Sequence, residues 1–320
     1  MNKFQRSWEL LKSSLAVMQR DTRLLLFPIL TFGLTIFITI LFLMPVAFQR
    51  TGHSVRSLEH WQAVGNSVFS TDNSASTNAE DDSGYHRHRS HRGSGGIRPV
   101  AVGYFAMMYF VSMFLATFCN VAFYHQILTA LAGESVSIAA GFRFACTKWR
   151  AILMWTLFAG LVGYAIKELE QRFGLVGQII MRLLGTAWSI ACVFVIPVII
   201  TDENATNPIT VLKQSALTLK RTWGESLIGY VGVSLGSGLI FLVSLVWLVG
   251  GIAFSTSIQL YWLTALVVLS WLVAMIVWAY IMSVASQIFR CALFIYASQG
   301  VLPAPYTPEM MALAWKQKKT

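Results

Sequence analysis

The sequence predicts an all-α, polytopic membrane bundle of six transmembrane helices with three cytoplasmic amphipathic surface helices. The 320 residues are 56% hydrophobic and 12% charged, and a soluble domain carries about twice that charge. A helix needs about 20 apolar residues to cross the hydrocarbon core. Long apolar runs separated by polar links meet this requirement. They are 24–48, 100–131, 151–166, 183–201, 226–250 and 260–288.

The distribution of basic residues predicts the orientation of the chain. The net charge is +10, and outside 49–99 the cations concentrate in links that share one side of a six-span protein. Positively charged loops stay in the cytoplasm, so both termini are predicted to lie on the cytoplasmic side of a bacterial inner membrane. This charge is interpreted as a topology and lipid-surface signal, not as nucleic-acid binding. The residues are Lys3, Arg6, Lys12, Arg20, Arg23, Arg143, Lys148, Arg150, Lys213, Lys220, Arg221, Lys316, Lys318 and Lys319.

Three cytoplasmic segments share a pattern around Lys12, Arg143 and Lys213. Apolar or small residues stand four before, one before and three after each cation. Each segment is interpreted as a surface helix ahead of a transmembrane hairpin, which gives three hairpin repeats within a single domain, 1–320. The first helix covers 2–20 and is expected to lie with its apolar face in the lipid headgroups. The third begins with Asn207 and Pro208, an N-cap followed by proline at the first helical position.

The link 49–99 is predicted to be a long non-cytoplasmic loop. Its part 70–98 is nearly empty of aliphatic residues, so it cannot bury enough surface to fold and is expected to be disordered. Three histidines between His86 and Arg92 raise a metal-site hypothesis. The arginines between them argue against a bound cation, and a solvated loop is favoured.

Two spans have uncertain ends. Glu168 and Arg172 are spaced to pair across one helical turn, and Arg182 interrupts the apolar run that follows. Either span four starts before Arg182, or 168–182 is an interfacial helix, and the second interpretation is favoured. The last apolar run is too long for one crossing, so a span to about Ser286 followed by an interfacial or projecting segment is expected.

Three parts of the chain carry a resemblance to known proteins. The first part is 188–225. The second is Phe118, Cys119 and Asn120 with Gly133, Glu134, Gly141, Phe142 and Ala145. The third is 289–297 with Gly300 and Pro303. Together they resemble a bacterial and archaeal family of uncharacterised six-span membrane proteins and, more distantly, the membrane domain of some glycerophosphodiester phosphodiesterases. The resemblance implies fold and membrane location, because the phosphodiesterases carry their chemistry in a separate soluble domain.

The candidate residues within these motifs do not form a known catalytic set. The sequence lacks H-E-x-x-H and P-loop motifs, and its four cysteines form no C-x-x-C pair. No enzyme activity, cofactor or metal is therefore predicted. The candidate functional or structural residues are Asn120, Gly133, Glu134, Pro197, Asp202, Glu203, Lys220, Arg221, Trp223, Gly224, Glu225, Arg290 and Tyr296.

Three of these groups have alternative roles. Asn120 either donates hydrogen bonds between helices or lines a substrate path. Pro197 either produces a packing kink in span four, acts as a hinge, or exposes a carbonyl to an ion. The charged cluster from Asp202 to Glu225 either fixes the third surface helix by ion pairs or serves as a gate or headgroup contact.

Two functions fit the sequence. One is a membrane protein that accommodates or moves a lipid or small amphiphile, which glycine-rich spans and surface helices favour. The other is a scaffold for membrane proteins, with a second copy or another membrane protein as partner. A lipid-modifying enzyme is disfavoured, because the spans contain almost no ionisable residues.

Overall fold

The computed structural model describes residues 3–50, 52, 54–69, 99–172, 174–203 and 205–307, with side chains not described at 3–8, 67–69, 99, 100, 175, 176 and 222–240. The described residues contain helices and no strand, which confirms the all-α class. The helices are α1 (Lys3–Arg20), α2 (Leu26–Ala47), α3 (Leu58–Phe69), α4 (Pro99–Leu131), α5 (Ile138–Thr147), α6 (Trp149–Arg172), α7 (Leu175–Ala191), α8 (Val195–Thr201), α9 (Pro208–Ser257) and α10 (Tyr261–Gln299). A short 3-10 helix, Thr22–Leu25, joins α1 to α2.

The predicted first surface helix is α1, but its apolar face packs on protein. Leu11 packs with Met282 and Ala285 of α10, and Leu15 and Trp278 cover this contact. The expectation that this face lies in the lipid headgroups is therefore wrong. A neighbouring helix buries the same apolar side chains that a membrane surface would have covered.

The predicted hairpins are antiparallel helix pairs. In α6 and α7, the rings of Trp155 and Trp188 stack with centroids 6.1 Å apart. In α9 and α10, the hydroxyls of Ser255 and Thr264 lie 2.6 Å apart near the connecting turn. In α2 and α4, the Tyr104 hydroxyl donates a hydrogen bond to the carbonyl of Phe42.

The chain divides into two compact units, residues 1–31 with 116–320, and residues 32–115. The second unit contains α3, which the sequence analysis did not predict. Its buried His60 donates from Nε2 to the carbonyl of Ala47 at 2.8 Å. The segment 70–98, with the histidine-rich stretch, lies outside the described residues.

The link between spans three and four differs from the favoured prediction. No separate interfacial helix covers 168–182, because α6 continues to Arg172 and α7 begins at Leu175. Arg182 lies within α7, and its Nε is 3.0 Å from Glu170 Oε1. This ion pair between α6 and α7 gives Arg182, a cation within the apolar helix α7, an oppositely charged partner. The predicted pair between Glu168 and Arg172 is confirmed at 2.9 Å.

Two helices are longer than predicted. The third surface helix and span five are joined as α9, whose 50 residues extend about 75 Å at 1.5 Å per residue. Helix α10 continues without interruption past Ser286, so its 39 residues extend about 58 Å. Five helices or helix pairs in the described residues are long and apolar enough to cross a membrane. The remaining predicted span, 226–250, lies in α9, where 222–240 have no described side chains.

Candidate functional site

The buried core of the first unit gathers at one end of its helices, here called the packed end. It is formed by α1, the C-terminal half of α4, α5, the start of α6, α8, the start of α9 and the end of α10. The other ends of α6, α7, α9 and α10 expose large apolar side chains. The packed end contains most of the candidate residues. Representative buried side chains are Leu10, Phe27, Ile127, Ile152, Val198, Val211 and Ile288.

Gly133 ends α4 in a left-handed turn. Its φ is +87°, and its N–H donates to the carbonyl of Ala130 while the N–H of Glu134 donates to Thr129, both at 3.1 Å. This pairing is a Schellman motif, which glycine favours because it adopts positive φ without strain. The motif explains Gly133 and gives Glu134 a backbone role, with its side chain exposed.

Gln126 fixes the loop that enters α5. Its Oε1 accepts from the backbone N–H of Ser137 at 2.8 Å, so its Nε2 faces His125 Nδ1 at 3.0 Å. An amide nitrogen only donates, and His125 Nδ1 therefore accepts, which assigns a neutral imidazole with its proton on Nε2. The His125 ring stacks on Phe144 of α5 with centroids 3.9 Å apart. These contacts join α4 to α5 at the packed end.

Gly141 lets α5 approach α4 closely. A Cβ built at this residue would lie 2.9 Å from the carbonyl oxygen of Ala122, 2.9 Å from Cγ of Gln126 and 3.1 Å from Cζ of Phe27. Real Cβ atoms have almost no room at such distances, because interiors are close-packed. The resemblance motif around Gly141 is thus a helix-packing contact.

Three basic residues join separate segments of the first unit by hydrogen bonds. Arg20 donates to the carbonyl of Gly133 and Arg23 to that of Val136, both at 3.1 Å. Lys148 Nζ donates to the carbonyl of Asp202 at 2.7 Å. A cation near the end of a helix also interacts favourably with the helix dipole. These contacts tie α1 to the α4–α5 loop and α5 to the end of α8.

The helix of span four is interrupted just before Pro197. Helix α7 ends at Ala191, and α8 begins at Val195, because a proline ring clashes with the carbonyl four residues before it. Ser215 of α9 satisfies the freed backbone groups: its buried Oγ accepts from the N–H of Phe194 at 3.1 Å and donates to the carbonyl of Ala191 at 2.6 Å. Serine side chains commonly fill this role at broken membrane helices.

The segment after α10 folds back onto the packed end. Gly300 caps α10 with φ +70°, and buried Tyr306 follows. The hydroxyls of Tyr306 and Ser14 of α1 lie 2.8 Å apart, and the Tyr306 ring is 6.5 Å from that of Phe289. Burial raises the pKa of Tyr306 above its ordinary value. The C-terminal segment therefore connects α1 to α10 through one protonated phenol.

Replacing Tyr306 with phenylalanine is expected to lower the free energy of unfolding by about 1 kcal/mol. The pKa of Tyr306 is higher in the folded state. The Tyr306 hydroxyl therefore contributes its full stabilisation below a pH of about 10, and this contribution is lost as the pH rises further. Thermal unfolding of both proteins across this pH range measures the difference. If Tyr306→Phe lowers stability by the same amount in a protein that already carries Ser14→Ala, the contact between Tyr306 and Ser14 is contradicted.

The other predicted residues lie in several places. Asn120 is half-buried on α4, and Arg290 of α10 shares a side-chain hydrogen bond with Tyr124 of α4. The carbonyl of Tyr296 accepts from the N–H of Gly300 at 2.8 Å. These contacts place Arg290 and Tyr296 in the packing and capping of α10.

The structure describes only part of the predicted charged cluster. Glu203, Lys220 and Arg221 are exposed, and Asp202 is half-buried. Trp223, Gly224 and Glu225 belong to α9, but their side chains are not described. The ion-pair network proposed for these residues stays a prediction. In the described part of the chain, no three His, Cys, Asp or Glu residues are grouped to hold a metal ion.

The helices place the chain in the class of helical membrane proteins by their length and composition. Residues 100–303 match a family described as a family of unknown function, DUF6159. Since the match covers more than half of the sequence, the chain belongs to this family. No curated protein and no solved structure gives a significant match.

Proposed function

We propose that this protein accommodates or moves a lipid or small amphiphile in the bacterial inner membrane, with both termini in the cytoplasm, and that it is not an enzyme. The observation that carries the proposal is the contrast between the packed end and the exposed apolar ends of the hairpins. Val246, Tyr261 and Ile276 expose 74%, 74% and 68% of their surface. Acyl chains are the partner that covers such surfaces in a membrane.

The polar groups of the packed end support a binding role over catalysis. Gln126, Ser215 and Tyr306 are all engaged in contacts that join helices. Buried polar groups that are fully satisfied make a structure rigid. A rigid end that joins hairpins with exposed apolar ends suits a protein that holds a lipid between helices.

A native-lipid analysis tests the proposal. The full-length protein is extracted from the membrane with its surrounding lipid by a mild polymer, and bound lipids and proteins are measured by mass spectrometry. One lipid or amphiphile enriched in a fixed ratio is the expected result. A stoichiometric protein partner with bulk lipid only would contradict it and support the scaffold role.

We also propose the distant relationship to the membrane domain of glycerophosphodiester phosphodiesterases. The motif residues support it, because Gly133, Gly141 and Gly300 occupy defined turns and contacts at the packed end. An experimental structure of such a domain is expected to show the same helix order and an interrupted helix corresponding to α7 and α8. A different helix order would refute the relationship.

A further inference from the structure

The basic residues of the packed end fall into two groups. Arg20, Arg23 and Lys148 donate to backbone carbonyls of other segments. The second group is exposed and has no hydrogen bond or ion pair with the residues that the structure describes. Its members are Lys12, Arg143, Arg150, Lys213, Lys220 and Arg221. The first group stabilises the fold, so only the second can bind a partner outside the described chain without losing internal contacts.

Three members of the second group are equivalent positions of the internal repeat. Lys12, Arg143 and Lys213 are the cations around which the three surface segments align. The residues two before them are buried: Leu10, Gly141 and Val211. The residues two after them are also buried: Ser14, Ala145 and Ser215. Successive helix residues are about 100° apart, so each cation lies opposite the face that its helix buries.

This arrangement corrects the repeat predicted from the sequence. The predicted apolar positions include Ala139, Cys146 and Ile209, which are exposed. The buried face of the repeat is instead defined by the positions two before and two after the cation. The structure therefore shows a repeat whose common features are a buried small residue and an outward cation.

The surroundings of these cations fit an anionic lipid surface. Each lies ahead of the first helix of a hairpin: Lys12 before α2, Arg143 before α6 and Lys213 at the start of α9. The segments 9–25, 132–150 and 202–221 together contain nine Lys and Arg residues against five Asp and Glu residues. Basic residues next to membrane spans attract anionic headgroups within about one Debye length.

We infer that Lys12, Arg143 and Lys213, one in each surface segment, bind the phosphate groups of anionic phospholipids. This inference rests on the proposed lipid role and names the residues and the headgroup chemistry. The cations bind the phosphates as exposed charges, while exposed Trp149 and Leu217, 49% and 51% accessible, contribute apolar contact at the same segments. Membrane attraction of about 1 kcal/mol per basic residue corresponds to roughly a fivefold change in affinity.

The test uses the full chain in nanodiscs of phosphatidylcholine with a minor fraction of phosphatidylglycerol. Native mass spectrometry measures the ratio of the two lipids that remain bound. The triple variant Lys12→Gln, Arg143→Gln and Lys213→Gln is expected to lose the phosphatidylglycerol preference by at least tenfold. Its thermal stability is expected to stay within the range of surface substitutions, because none of the three side chains has a described partner.

Two controls accompany the triple variant. The variant Arg50→Gln, Arg56→Gln and Lys167→Gln removes the same formal charge from exposed residues of the predicted non-cytoplasmic links, which have no described ion pair, and is expected to retain the preference. The charge-conserving variant Lys12→Arg, Arg143→Lys and Lys213→Arg is expected to retain it as well. Equal loss in the first control would show a general effect of net charge and overturn the inference.

Other outcomes also overturn it. The inference fails if the glutamine variant keeps the wild-type lipid ratio, or if millimolar inorganic phosphate displaces the lipid and so identifies a free-phosphate site. These failures leave the proposed function standing, provided that a lipid or amphiphile still copurifies in a fixed ratio. The proposed function alone is refuted, and the inference stands, if the preference for phosphatidylglycerol depends on the three cations but no lipid copurifies in a fixed ratio.

Discussion

Replacing Gly141 with leucine is expected to destabilise the protein by about 3 kcal/mol or more, through overpacking of a close helix contact. The new side chain would begin 2.9 Å from the carbonyl oxygen of Ala122 and 3.1 Å from Phe27 Cζ. The Ala122 oxygen belongs to the backbone of α4, so it cannot move aside as a flexible side chain can. The expected result is separation of α5 from α4 and loss of the contact between Ser137 and Gln126.

The folded fraction that remains after heating, measured by size-exclusion chromatography, reports this loss. Gly141→Ala is expected to have a smaller effect of the same sign, because a helix propensity gain of about 1 kcal/mol opposes the clash. Gly163→Ala in α6 is the matched control, since a Cβ there has no atom within 4 Å. A Gly141→Ala protein as stable as the Gly163→Ala protein would show that α5 has room to shift.

Helix positions were predictable because they depend on local sequence. Apolar runs of sufficient length predicted the hairpins, and Asn207 before Pro208 predicted the start of α9. The Asn207 side chain accepts from the N–H of Ile209 at 3.0 Å, which confirms that N-cap. A cap involves groups two residues apart, so the sequence contains all the information that the contact needs.

The partners of helix faces were less predictable. The apolar face of α1 suits either a membrane surface or another helix, and periodicity does not distinguish them. Helix α3 was not predicted for a related reason. Leu58–Phe69 adjoins a polar stretch, and the sequence of that stretch predicts a loop. The continuous α9 was missed because basic residues near Lys220 resemble the boundary between a surface helix and a span.

At the candidate site, too, contacts between residues close in sequence were predictable and contacts between distant residues were not. Pro197 predicted a local distortion of span four because its effect acts on the preceding turn. Ser215 and Tyr306 were not singled out, since their partners are at least 20 residues away: Ser215 contacts 191 and 194, and Tyr306 contacts Ser14. A buried serine facing a broken helix has no signature in a single sequence.

Replacing Ser215 with alanine is expected to destabilise the protein by about 3 kcal/mol, because it leaves one buried and one half-buried backbone group without partners. The N–H of Phe194 loses its acceptor at 3.1 Å, and the carbonyl of Ala191 loses its donor at 2.6 Å. Phe194 is fully buried in the protein, so water does not replace the lost acceptor of its N–H. Hydrogen exchange at 192–195, followed by mass spectrometry, is expected to become faster in the variant.

Ser257→Ala is the matched control on the same helix. The Ser257 hydroxyl donates to the carbonyl of Ala253 in its own helix at 2.8 Å and is exposed, so its loss is expected to cost less than about 0.5 kcal/mol. Equal stability of the two alanine variants would mean that the break between α7 and α8 does not need α9. A large difference confined to Ser215 would instead establish that α9 holds the interrupted backbone between α7 and α8 in one conformation.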